Sequence, residues 1–94
     1  MSAALVLPAE LSIYTAGELS SHWLAWLDAQ AGEGPGQVDA SAVAEIDAAG
    51  LQLLLSLSAA LQRRGRSLQL LQPSAALQSA CQALGLQSLL GRAA

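Results

Sequence analysis

Apolar and polar positions along the chain change period several times, and each change predicts a new element. Ser2 to Leu7 is a short apolar run ended by Pro8, which biases Leu7 toward extended backbone, so it reads as a strand. Glu10 to Tyr14 alternates Leu11 and Ile13 with polar neighbours, a pattern that fits either continued pairing or an ordered loop across the sheet end. Thr15 and Glu18 have capping-box spacing, and Leu19, Trp23, Trp26 and Leu27 recur at helical intervals, so a helix is expected from Ala16. The glycines and proline of residues 31–36 close it and form an exposed, flexible loop.

Around Val38 the segment 37–40 is a weak strand candidate, and Val43 and Ile46 anchor the approach to a second helix. From Ala49 to Arg64, Leu51, Leu54, Leu55 and Leu61 line one face, while Leu53 and Leu57 add a second apolar edge. Arg63 and Arg64 complement the negative end of that helix, and Gly65 suits its cap. Ser67 to Leu71 reads as a strand closed by Pro73. Ser74 then caps a last helix carrying Leu77, Ala80, Cys81 and Leu84, Gly85 ends it, and Leu86, Leu89 and Leu90 form a final apolar turn. Strand and helix alternate throughout, which favours parallel pairing with crossover helices: an α/β domain with a mixed, mostly parallel sheet of about four strands and helices packed against it.

Composition narrows the function. The 94 residues make one domain, residues 1–94. Apolar residues are 53% and charged residues 12%, against roughly 25% charged in an average soluble domain, and such surplus apolar surface points to a protein partner or to self-association as a homodimer. A net charge of -3, with four cationic residues that are all arginine, gives no basic face for nucleic acid. No cationic leader precedes the first apolar run, and Pro73, Gly85 and many glutamines interrupt the charge-free stretch 67–91, so neither secretion nor direct membrane insertion is expected and the chain is placed in the cytoplasm.

Catalysis has little to work with. The single histidine, His22, lies off the apolar stripe of its helix and reads as a solvated residue. Cys81 has no cysteine or histidine companion at metal-ligand spacing and reads as core, so no metal, no cofactor and no enzyme activity are expected. Glu45 and Asp47 are two residues apart but lack any substrate framework, and no phosphate-binding glycine loop precedes a helix. What remains is Ile46-Asp47-Ala48-Ala49-Gly50-Leu51-Gln52, where an apolar segment turns into a helix across one acid and one glycine. Asp47 can face the unpaired amides of the helix start, and Gly50 lets another backbone come close.

The stretch from Val38 to Leu51 resembles the central signature of STAS domains, the fold of anti-sigma-factor antagonists. Pro8-Ala9-Glu10-Leu11 stands where that family often has a Gly-Glu-Leu-Asp turn, residues 65–74 resemble its strand and Pro-Ser helix start, and Ala83-Leu84-Gly85-Leu86 its C-terminal signature. The resemblance spans nearly the whole chain, with little room for the extra N-terminal strand of many members. It implies a bacterial, cytoplasmic, reversible partner-binding module, with Asp47, Ala48, Ala49, Gly50, Leu51, Gln52 and Ser56 as the partner-binding residues. In the antagonist branch a serine or threonine after the aspartate is phosphorylated by the anti-sigma kinase, which releases the partner. Ala48 and Ala49 occupy those positions here and cannot accept phosphate. Ser12, Thr15 and Ser41 could be alternative acceptors, although capping or turn roles explain Thr15 and Ser41. The resemblance implies an anti-sigma-like kinase or a chemotaxis component as partner. The alternative is the ATPase subunit of a lipid-transporting ABC complex, which similar STAS proteins bind.

Overall fold

The computed structural model describes residues 4–29 and 34–90, and the order of elements within them is the expected alternation. Strand β1 is Leu5–Val6, β2 Glu10–Leu11, β3 Gly36–Asp39, β4 Glu45–Ile46 and β5 Leu68–Leu71; helix α1 is Ala16–Ala29, α2 Ala48–Arg63 and α3 Ala75–Ala83, followed by a 3-10 turn at Gln87–Leu89. The start of the expected first strand at Ser2 and residues 31–33 of the loop before β3 lie outside the described residues.

Five short strands form two small sheets, ordered β1-β3-β5 and β2-β4, and every pairing among them is parallel. This refines the expected mixed sheet of about four strands. Pro8 supplies no amide, and Ala9 answers by accepting through its carbonyl from both Ala44 and Glu45, at 2.8 and 2.9 Å. The pairing therefore lapses after β1 and β3 and resumes as β2 beside β4. The weak candidate around Val38 is the central strand, since β3 pairs with β1 through Leu5 and Val38 and with β5 through Val38 and Leu70.

Alternation along the strands sorts the two faces. Val38 and Leu70 are fully buried under the helices, whereas Gln37 is exposed and donates from its side-chain amide to that of Gln69 on the open face at 3.4 Å. The core adds Leu7, Leu11, Val43, Trp23 and Leu27, then Leu51, Leu54, Leu57 and Leu61 of α2, and Leu77 and Cys81 of α3. Leucine at i, i+3 and i+4 intervals gives α2 a buried stripe, and the sheet and α1 together cover it. Gly65 and Gly85 follow the caps of α2 and α3 with φ of 73° and 70°, the left-handed geometry that stops a helix. The Ser74 hydroxyl accepts from the Leu77 amide at 3.1 Å, the expected cap of α3. No helix among the described residues is long and apolar enough to cross a membrane.

Candidate partner-binding site

Parallel strands place the start of every following helix at one edge of the sheet, and the segment from Asp47 onward sits there. Asp47 is the N-cap of α2, with extended backbone at φ -121° and ψ -176°. Its Oδ1 accepts from the Gly50 amide at 3.0 Å and its Oδ2 from the Ile13 amide at 3.0 Å. Its own amide donates to the Leu11 carbonyl at 3.1 Å. One residue thus satisfies a helix-end amide and ties α2 to the turn after β2. Those bonds, the Gly50 amide first and the Ile13 amide second, hold the Asp47 carboxyl below the usual aspartate range.

Gly50 is buried beneath that turn. A Cβ there would lie 2.2 Å from the Leu11 carbonyl oxygen, so the close backbone approach expected of Gly50 is made by β2 of the same chain. Leu51 is 2% exposed and belongs to the core, and Ala49 is half-buried. The exposed members of the expected set are Asp47, Ala48, Gln52 and Ser56. Ala48, Gln52 and Ser56 are spaced i, i+4, i+8 on α2, so they form one outward stripe about 12 Å long. Ser56 also borders a shallow groove between α1 and α2 lined by Trp23, Leu24, Leu27 and Leu53. Gly50 and Leu51 lie below this surface and set the position of the stripe.

On the turn that Asp47 holds at the start of α2 stand two residues that sequence reasoning did not place in the site. Ile13 is 68% exposed and Tyr14 90%. Their turn is closely bonded: the Tyr14 amide donates to Ser12 Oγ at 3.2 Å, Ser12 Oγ donates to Glu10 Oε2, and the Thr15 hydroxyl donates toward the Glu10 and Ser12 carbonyls at 3.2 Å. Thr15 therefore works backward into the turn, where a forward capping box with Glu18 was expected, although α1 starts at Ala16 as predicted. Alternation with Leu11 left residues 10–14 open between continued pairing and an ordered loop, and the structure makes Glu10–Leu11 a strand and the residues after it a turn. The signal for the turn was Tyr14, a large apolar ring directly before the polar start of a helix.

The other chemistry-bearing residues stay apart from this surface. His22 is exposed on α1, and Cys81 is buried in α3, where desolvation pushes its thiol pKa up. No three histidine, cysteine, aspartate or glutamate side chains among the described residues are grouped to hold a metal ion. The Asp39 carboxyl is held low by the amide and then the hydroxyl of Ser41, which closes the turn after β3 and gives Ser41 a structural role.

A family profile described as "Mlab, STAS domain" matches residues 2–91. No curated protein and no solved structure gives a significant match. With the profile covering nearly the whole chain and the α/β order agreeing with it, this chain belongs to the STAS family.

Proposed function

We propose that this STAS domain is a non-catalytic regulatory module that docks a cytoplasmic signalling protein, anti-sigma-like or chemotaxis-associated, through the loop at Asp47 to Gln52 and the exposed side of α2. The observation that carries the reading is the Ala48, Gln52 and Ser56 stripe, which stands exposed at a helix start that the chain's own bonds have already fixed. Family membership supports the regulatory class. Ala48 is the exposed residue where the antagonist branch carries its phosphoacceptor, so binding here is free of that switch and regulation acts on the partner, on its amount or at another site.

Membership of the STAS family also supports the alternative reading, a small STAS subunit of a lipid-transporting ABC complex that binds the ATPase subunit. Purified chain used as bait, with the bound protein identified by mass spectrometry, separates the two. A receptor-coupling or kinase-like protein supports the signalling reading, and an ABC ATPase subunit replaces it with the transport one. Failure to retain either class at micromolar bait removes both.

A further inference from the structure

Two large apolar side chains stand out in the solvent at one place in the fold. Ile13 and Tyr14 are 68% and 90% exposed, yet their turn is fixed by Ser12, Thr15 and, from 34 residues away, Asp47. A pair of exposed apolar side chains on such a turn is prepared for contact, because the backbone is already ordered and only the two side-chain rotamers are left to fix when a surface closes over them.

The charge around the turn says what kind of surface that is. Glu10 and Glu45 are register partners in β2 and β4, so their carboxylates share one face of a parallel pair, an arrangement that like charges disfavour. Glu18 lies in the first turn of α1, Asp39 ends β3 and Asp47 caps α2, all at the same carboxyl edge. None of these five has an ion-pair partner among the described residues, where the one salt bridge joins Arg64 to Asp28 at 3.1 Å. Arg63, Arg64 and Arg66 lie at the far end of α2, about 24 Å of helix away, beyond the ~8 Å over which salt screens charges.

We propose that Ile13 and Tyr14 are the apolar anchors of the docking face, and that its occupant is a partner protein presenting an apolar socket rimmed by lysine or arginine. This rests on the docking function proposed above and specifies the chemistry of its partner. A cationic rim relieves the Glu10 and Glu45 repulsion and steers encounter toward the anchors. A second copy of this chain is a poor occupant. Of the three arginines at that end, the guanidinium of Arg64 is already bonded to the Leu27 carbonyl and Asp28 and that of Arg66 to the Gly34 and Pro35 carbonyls, so exposed Arg63 alone would face five carboxylates. Acidic edge against basic end is moreover a head-to-tail contact that does not close on itself.

The test places a photo-crosslinking phenylalanine analogue at Tyr14, at Gln52 and, as a control near the end of α3, at the exposed Gln82, in cells that express the chain natively. The expected result is one protein captured from positions 14 and 52 and not from 82. Once purified, that protein should associate at least tenfold more slowly at about 300 mM than at about 50 mM salt, and Tyr14→Ala should weaken its affinity at least tenfold with an unchanged melting temperature. Capture from position 52 without position 14, a salt-independent rate, or undiminished affinity of Tyr14→Ala overturns the anchor and its cationic partner while leaving the docking function standing. Capture of a second copy overturns the choice of occupant. Capture from position 82 alone removes the docking face itself.

Discussion

The Asp47 carboxylate accepts from the backbone amide of Ile13, 34 positions earlier in the chain, at 3.0 Å. Its second oxygen caps α2 through the Gly50 amide at the same distance. The turn that exposes Ile13 and Tyr14 and the helix that exposes Ala48, Gln52 and Ser56 are therefore one unit, joined by a single side chain. In an isolated helix an N-cap aspartate would serve only its own first turn. Here the same group fixes the relative position of two parts of a surface, so its loss should loosen both.

A pH dependence follows from that carboxylate. The folded-state pKa of Asp47 is lowered by the Gly50 and Ile13 amides, so between that value and the unfolded value of about 3.9 the unfolded chain binds the extra proton. Its stabilising effect is complete above the unfolded pKa and fades as pH falls through the folded one. Asp47→Asn, which keeps a capping oxygen but no charge, should be less stable than the parent at pH 7, with the difference shrinking below about pH 4. Urea denaturation at a series of pH values measures it, and a difference that ignores pH would show that the charge contributes nothing.

Two glycines in helices should respond oppositely to alanine. At Gly50 the new Cβ would lie 2.2 Å from the Leu11 oxygen and 2.7 Å from its carbonyl carbon, both backbone atoms that cannot swing away. Overpacking of this kind costs about 1 to 3 kcal/mol and outweighs the helix-propensity gain of roughly 1 kcal/mol. At Gly17 nothing lies within 4 Å, so Gly17→Ala should be neutral or stabilising by up to about 1 kcal/mol. Chemical denaturation of both variants decides it; a stable Gly50→Ala would mean that α2 does not press against β2 as described.

Much of this fold was legible because its signals are local. The cap at Ser74, the stops at Gly65 and Gly85 and the leucine stripe of α2 each depend on residues within a few positions of one another. The break between β1 and β2 was not legible, since Pro8 marks a local interruption but only the distant Ala44 and Glu45 amides show that pairing resumes. The site divides in the same way. Asp47 as a cap and Gly50 as a contact point could be read from type and spacing, while the Ile13 amide that completes Asp47 and the Leu11 carbonyl under Gly50 come from tertiary approach. The exposure of Ile13 was left open for that reason: a period of two suggests which residues share a face and does not reveal where a strand stops.

Leu54 tests the core. It is fully buried on the inward face of α2, so Leu54→Ala should cost about 2 to 5 kcal/mol through lost burial and the cavity left behind. Leu24 on α1 is 56% exposed, and Leu24→Ala should stay within about 0.5 kcal/mol. A thermal melt in which the two variants shift equally would contradict the inward assignment of Leu54.

Gln52→Arg separates docking from folding. Gln52 is exposed one turn along the stripe from Ala48, and arginine has a helix propensity close to that of glutamine, so the variant should fold with stability within about 0.5 kcal/mol of the parent. Against the proposed cationic partner the new guanidinium meets like charge, and its length holds the two surfaces apart. Affinity should fall at least tenfold, equivalent to about 1.4 kcal/mol. Part of that loss should appear as a slower association rate that recovers in high salt, because screening weakens the repulsion and leaves the steric cost. Ser56→Arg, a further turn along, should act in the same direction. Binding kinetics at two salt concentrations, with a melt of each variant as the folding control, read the outcome. Undiminished affinity in both variants would take the outward stripe of α2 out of the interface.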